Sequence, residues 1–515
     1  MFDPIRNLSL YSVLEEHVRS YPGKIAHAMG ARRLTFAELL QRVDKLINAL
    51  DKAGVRSGDR ILWLGQNSDS IMELLIAASQ LNAMLCPTNW RQSRAELAEQ
   101  IDDLEPAVIV WQEEEVGDET RAARELATYK GGLWLLHDGE GEGSYEGFIA
   151  GGPADRNDHR EVDTALGALV IYTAAFDGRP NGAVLSQNTI LLENLVLAPT
   201  MRISNETVFL AVGPLFHLGT LMQCLTVFHM GGTNVFVRRT DAMSIAQAID
   251  AEKCTRTWLV GKTMAEIVAL NADGRFDLKS LRSIPYNDAW NAMVTVERVD
   301  TMVPGYGQTE VMGLAVLPYY APGATGIFGR PSPLCQMRIV DEDDRDVEPG
   351  EVGEIVFRGP IVMNGYWNRP ELNARRHRNG WHHTNDLGRR EADGSLTFIG
   401  PKVQMIKSGV ENIYPAEVEA CIRKHPAVAD CAIIGIPDAK WIQSVKAIVT
   451  LRPDAEATDR DIIEHCRERI ASYKKPSSVE FRESIPRGAT GGIDYKVLDE
   501  AYGGGNYPGG NTRTS

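Results

Sequence analysis

The stretch "YTAAFDGRPNGAVLSQ", residues 172–187, has the outline of a phosphate-binding loop without most of the atoms that bind phosphate. Gly178, Pro180 and Gly182 keep the spacing of a tight loop between the apolar run "ALGALVI" and the helical pattern "NTILLENLVL". Where a nucleotide loop offers hydroxyls and an ammonium, the chain carries Ala174, Phe176, Asp177 and Asn181. Thr173 and backbone N–H groups remain to meet an anion, and Asp177 opposes one. Two like charges about 5 Å apart repel by about 3 kcal/mol at an effective dielectric near 20. Two further carboxylates sit in short turn-like motifs, Glu310 in "GYGQTE" and Asp386 in "TNDLG". A carboxylate is a bidentate acceptor, suited to a pair of hydroxyls. Taken alone, the first motif is an ordinary loop and helix start, and the second is a solvated turn. His217 in "PLFHLG" is a lone histidine in an apolar stretch, where a satisfied core residue is commoner than a catalyst.

The elements that must hold these residues alternate in type. "DRILWLG" precedes the helical "SIMELLIAASQLNA", and "PAVIVW", "GALVIYT", "TVFLAVG", "GTNVFV" and "TRTWLVG" follow in the same manner. Short apolar runs between helices read as strands covered on both faces, the pattern of parallel α/β sheets. Ligands in such sheets sit beyond the carboxyl ends of the strands, where the opening loop falls. From about residue 330, "MRIVDEDDRDVEPGEVGEIVFRGPIV" reads as antiparallel hairpins with acidic, Gly- and Pro-bearing turns. After "LTFIGPKVQMIKSG" the texture changes again, to a small α+β unit. We expect a domain of residues 1–400, a second of 401–502, and a Gly-rich disordered tail over 503–515.

The chain has 515 residues, too many for one compact core. Its formal net charge of −15 argues against a nucleic-acid partner. The seven cysteines are scattered without a CxxC pair, so neither a disulfide framework nor a zinc site is expected. The start lacks a secretory core and no 18-residue apolar run occurs, which predicts a soluble cytoplasmic protein without an integral membrane segment.

Six stretches, "YTAAFDGRPNGAVLS", "GPLFHLGT", "GYGQTE", "GEIVFRGPIVMNGYW", "NGWHHTNDLGRR" and "GPKVQMIKSGVENIYPAEVE", stand in the order and spacing of one family. Together they make the chain resemble the adenylate-forming superfamily, specifically its acyl-CoA synthetase branch, over about residues 10 to 500. The resemblance implies a large N-terminal domain of two parallel-sheet α/β subdomains and a small β-rich one, with a smaller mobile α+β C-terminal domain. It implies a carboxylic acid joined to AMP from ATP with Mg²⁺, then passed to coenzyme A. A homodimer is compatible with it. In that frame Tyr306 stacks on adenine beside Gly307, Thr309 meets the AMP phosphate and Glu310 faces the metal. Asp386 accepts the ribose hydroxyls, and Asn385 before it replaces a glycine. His217 and Phe216 flank the acyl group, with Met222, Met312 and Gly313 as further pocket residues. Lys407 and Gly409 belong to the surface that closes for thioester formation; at Gly409 the lack of Cβ lets a pantetheine chain approach the backbone.

The same frame exposes departures. Thr173 and Gly178 are what the phosphate loop retains, and Asn287, Asp288 and Ala289 replace a small-residue stretch beside adenine. Pro401 and Val403 replace an Arg and a pivot residue at the hinge, and Gly492 stands where a terminal lysine bridges carboxylate and α-phosphate. Lys496 lies four residues on, about 6 Å away along a helix, as a displaced substitute. Two functions follow. One is an ATP-dependent acid–CoA ligase for a hydrophobic acid, with fatty acid metabolism as its setting. The other is a half-reaction or catalytically impaired relative that binds acyl-AMP, AMP or acyl-CoA, or partners an active ligase.

Overall fold

The structure is a computed structural model that describes residues 5, 7–173, 180–297, 305–402, 404–409, 411–487 and 493–503. Ala174, Phe176, Asp177, Gly178, Val403, Gly492 and the tail from residue 504 lie outside the described residues.

Apolar runs become central strands because both of their faces are covered. In Arg60–Leu64 the four residues after Arg60 are buried, and every residue of the following helix Ser70–Gln80 is buried as well. This strand lies in a seven-stranded sheet, flanked by Met84–Pro87 and Val108–Trp111, with Leu133–Leu136 at the edge. Those pairings are parallel. The strand Gly167–Thr173 joins Met84–Pro87 in parallel but pairs antiparallel with Asn181–Ser186, so residues 174–180 connect two neighbouring strands. A second sheet runs Arg256–Thr257, Val208–Ala211, Thr233–Phe236, Ile25–Met29, Arg32–Thr35, parallel except for its last pair. Helix starts are chemically marked: Thr35 with Glu38, and Ser93 with Glu96, form reciprocal capping boxes.

The hairpin region folds as an antiparallel sheet of Gln336–Val340, Val352–Arg358, His382–Arg390 and Leu396–Pro401. The last unit has its own core and a five-stranded sheet of Glu411–Ile413, Ile406–Ser408, Ile442–Leu451, Val428–Asp438 and Ser478–Phe481. The architecture is therefore the expected mixed α/β fold with two parallel-sheet layers, a β-rich portion and a smaller α+β unit. One strand fell short. "TRTWLVG" contributes only Arg256–Thr257, and Trp258 and Val260 beyond it are about half exposed. The seven cysteines are free thiols, and six are buried. Among the described residues no helix is long and apolar enough to cross a membrane.

Candidate functional site

The carboxyl end of Gly167–Thr173, the loop 305–310, the strand His382–Arg390 and the segment around Glu411–Ile413 converge on a cavity of about 510 Å³. Tyr306, Gly307, Thr309, Glu310 and Asp386 all line it, with Thr173, Phe216 and His217. The loop 305–310 folds back tightly. A Cβ at Gly307 would lie 1.7 Å from the Gly313 carbonyl oxygen, so only glycine permits this approach.

At one end of the cavity the polar groups are knitted together. The Tyr306 hydroxyl donates to Asp386 Oδ2 at 2.8 Å, and Gln308 Nε2 donates to the same oxygen at 3.2 Å. Gln308 Oε1 lies 3.1 Å from His382 Nε2, and Gln308 Nε2 also reaches the Thr384 carbonyl at 3.3 Å. Asn385 has φ +62°, so the residue that replaces a glycine supplies the left-handed turn that aims Asp386 inward. Burial pushes the Asp386 carboxyl up to about 7; the Tyr306 hydrogen bond opposes this and the charge of Glu310 adds to it. Glu310 is buried and also held above the usual carboxylate range by desolvation, with its Oε1 accepting from the Tyr366 hydroxyl at 2.7 Å. The Tyr306 ring packs among Phe328, Phe357 and Phe398.

At the other end, the described side chains at the base of the loop are committed within the protein. The Thr173 hydroxyl donates to the Asn181 carbonyl at 3.2 Å, tying the base of the loop to itself. Asn181 is fully buried and its Oδ1 accepts from Arg369 Nε at 3.2 Å. Arg369 in turn pairs with Asp103 at 2.7 Å, which accepts from the Tyr172 hydroxyl at 2.6 Å. Asn181 thus serves as a structural anchor beneath the loop.

The C-terminal unit roofs the cavity with Glu411, Asn412, Tyr414, Tyr473 and Lys474. Glu411 stands 3.4 Å from His217 Nε2 and 3.1 Å from Arg91 Nη1. Burial raises the Glu411 carboxyl, but His217, Arg91 and Lys407 outweigh it and hold it below the usual range. Lys474 is buried between Glu96 and Glu417, at 2.7 and 2.6 Å, so it joins the two parts of the chain. Asn89 Nδ2 donates to the Tyr473 hydroxyl at 3.3 Å and Ser93 Oγ to the Arg469 carbonyl at 2.9 Å. Behind this roof, Lys407 Nζ donates to Asn412 Oδ1 at 2.8 Å, while Gly409 adopts φ +60° and its N–H donates to the Trp441 carbonyl.

Several expected residues fall elsewhere. Met222 and Met312 belong to the packed core, and a Cβ on Gly313 would strike Met222 Sδ at 2.5 Å. Their apolar character reflects packing between the helix Leu218–His229 and the loop after Glu310. Asn287 caps the short helix Asp288–Met293 by accepting from the Trp290 N–H, and Asn287, Asp288 and Ala289 are exposed, away from the cavity lining. Lys496 is exposed on the helix Tyr495–Tyr502, which is anchored through buried Leu498 and through Tyr495, whose hydroxyl donates to Glu419 at 2.6 Å. This orientation does not bring Lys496 to the cavity. Gln308, Tyr366, Arg376, Glu411 and Lys474 were missed by motif reading. Gln308 had a signal in its place inside "GYGQTE"; Arg376 in "NARRHRN" and Lys474 in "YKKP" look like solvated charge runs.

Glu310 and the Thr309 hydroxyl are hard oxygen donors of the kind Mg²⁺ takes, with one protein carboxylate and the remaining ligands from phosphate and water. Among the described residues no cluster of three His, Cys, Asp or Glu could hold a metal without such a ligand.

The family model described as AMP-binding enzyme matches residues 14–367, and that described as AMP-binding enzyme C-terminal domain matches residues 417–491. A feruloyl-CoA synthase from Amycolatopsis sp is 34% identical over 502 residues, covering 95% of this chain and 98% of that protein. An indoleacetate–CoA ligase from Aromatoleum aromaticum is 32% identical over 501 residues, covering 94% and 96%. Among solved structures, the o-succinylbenzoate CoA synthetase of Bacillus subtilis, bound with a product analogue, superposes with a TM-score of 0.77 at 25% identity, covering 96% of this chain and 98% of that one. The amide bond synthetase McbA from Marinactinospora thermotolerans shares the fold, with a TM-score of 0.79 at 23% identity, covering 96% and 100%.

Proposed function

The chain belongs to the AMP-binding enzyme family, and on that premise we propose that it is an ATP-dependent acid–CoA ligase acting on an aromatic carboxylic acid. The observation that carries this reading is the single cavity that gathers Tyr306, Thr309, Glu310 and Asp386 under Glu411, Asn412 and Tyr414 of the C-terminal unit. Had Glu310 and Asp386 faced different surfaces, no nucleotide could have met both.

In this reading Asp386, fixed by Tyr306 and Gln308, accepts the two ribose hydroxyls, and Thr309 meets the AMP phosphate. The Tyr306 ring forms the wall beside adenine. Mg²⁺, held by Glu310 and by phosphate oxygens, supplies charge neutralisation when bound. Phe216 and His217 face the acyl carbonyl, and Glu411 orients the imidazole from the other side. The buried roof excludes water from a mixed anhydride that water would otherwise hydrolyse. The aromatic preference draws on the named substrates of the relatives and on Phe216 at the cavity wall. We place the division between the two parts after residue 400, where the antiparallel sheet ends at Pro401 and the next sheet begins at Ile406.

Thioester formation from CoA and ATP, measured across aryl and arylalkyl acids and straight-chain fatty acids, tests the proposal. Turnover confined to the aromatic acids supports it; turnover confined to fatty acids removes the substrate class, and none with any acid removes the complete reaction. A second reading, a half-reaction enzyme, is favoured by Thr173 and Asn181 being engaged internally. It predicts no acid-dependent exchange of pyrophosphate into ATP, together with conversion of supplied acyl-AMP and CoA to thioester.

A further inference from the structure

At Lys474 the two parts of the chain share one buried charge. The residue is 6% exposed, and its Nζ donates to Glu96 Oε1 at 2.7 Å and to Glu417 Oε1 at 2.6 Å. Glu96 stands in the first turn of the helix Arg94–Leu104, in the N-terminal part. Glu417 stands in the first turn of the helix Pro415–Ile422, in the C-terminal unit. Burial by itself would push the ammonium pKa down, but the charges of Glu417 and Glu96 outweigh it and hold Lys474 above its ordinary value. The bridge can open without stranding a charge. Glu96 Oε2 accepts from the Ser93 N–H at 2.8 Å within its capping box, so Glu96 keeps a partner on its own helix. Lys474 keeps Glu417, which belongs to its own unit. Of the two contacts, the one with Glu96 is therefore the separable one.

The place of the bridge ties it to the cavity. The roof residues Glu411, Asn412 and Tyr414 run directly into the helix Pro415–Ile422. Pro415 fixes the backbone at the first helical position, so holding Glu417 two residues later sets where the roof segment hangs. Tyr473, next to Lys474, lines the same cavity. We propose that Lys474 is a positioning residue that clamps this roof over the cavity by holding Glu417 and Glu96 at once, with Glu96 as the releasable partner. The clamp is a property of the chain alone. Its consequence for a reaction, keeping water from a bound acyl-adenylate, rests on the function proposed above.

A distance measured across the junction tests the clamp. Spin labels go on Asp118→Cys and Glu468→Cys, two exposed positions on either side, in a Cys335→Ser background, the other six cysteines being buried. The otherwise unmodified chain should give one narrow distance. Glu96→Gln keeps the helix cap, since Gln also accepts from the Ser93 N–H, yet should lower the ratio of clamped to released molecules about tenfold, seen as a second, longer distance. Lys474→Met leaves two carboxylates facing each other and should shift that ratio further. Lys474→Arg, whose guanidinium serves two carboxylates, should stay near wild type. With an aromatic acid, ATP and CoA, Glu96→Gln should also release at least about threefold more AMP per thioester formed, as the adenylate meets water. If thermal unfolding shows that Lys474→Met does not fold, Glu96→Gln carries the test. A Glu96→Gln distance distribution identical to that of wild type overturns the proposal, and so does a broad distribution in wild type. A second distance with an unchanged AMP-to-thioester ratio supports the clamp and removes its water-excluding consequence. A wild type that forms no thioester fails the ligase reading, and the distances then decide the clamp by themselves.

Discussion

The two ends of the cavity are built on opposite principles. At the Asp386 end, polar side chains point inward and brace one another: Tyr306 and Gln308 both donate to Asp386, and Tyr366 holds Glu310. At the loop end the two described polar side chains are engaged within the protein: Thr173 is tied to the loop base and Asn181 to Arg369. The first arrangement fixes two carboxylates at the cavity wall, as the proposed nucleotide reading requires. The second commits Thr173 and Asn181, the two described side chains at the loop base, to partners within the protein. The ends of a loop can therefore be held by buried partners, as Asn181 is by Arg369, whatever the chemistry of the residues between them.

The sharpest way to break this contrast is Asp386→Ala. It removes the bidentate acceptor and should weaken AMP binding by about 100-fold, two charge-assisted hydrogen bonds at their usual strength; calorimetric titration reads it. Next comes pH. With its carboxyl pushed up to about 7, Asp386 is largely protonated at pH 6 and ionised at pH 8, so AMP affinity should rise about tenfold over that interval. Asp386→Asn should flatten the profile. For the free protein the sign is reversed. A raised carboxyl pKa stabilises the folded chain at low pH, and that contribution is lost as pH rises from about 4 through about 7. Asp386→Asn should therefore gain in melting temperature over wild type at pH 8 relative to pH 4.

At the loop end, Asn181→Ala should leave AMP affinity within about twofold. It should cost about 1–2 kcal/mol of folding stability by leaving Arg369 Nε short of its partner, as chemical denaturation would show. A large loss of AMP affinity with unchanged stability would put Asn181 in the ligand site and erase the contrast. The smallest effect belongs to Lys496→Ala, which should change the ligase rate by less than about twofold. A drop of 100-fold would mean that the C-terminal unit presents this helix to the cavity in another orientation.

Much of the fold was legible in the chain. Parallel strands covered on both faces must be continuously apolar, so "DRILWLG" and "PAVIVW" could hardly be anything else. Turn chemistry marked the antiparallel region equally well. The pairing of Gly167–Thr173 with Asn181–Ser186 was harder to foresee, because apolar runs do not encode strand direction. The cavity-lining residues inside motifs, Tyr306, Glu310 and Asp386, were legible from their neighbours in sequence. Met222 and Met312 were misplaced because an apolar side chain reads the same whether it lines a pocket or fills a core. Arg376 and Lys474 were passed over for the mirror-image reason, since arginines and lysines in polar runs are solvated far more often than buried.

By itself, then, the sequence determined the layers of the fold, the family and the motifs whose residues line the cavity, because local periodicity and motif spacing are properties of neighbouring residues. Only the tertiary structure decided which charges enter the cavity and which are consumed beneath it. That distinction depends on distances between residues such as Arg369 and Asn181, or Lys474 and Glu96, that lie 188 and 378 positions apart. No local pattern carries such distances; they exist only once the helices and sheets have packed.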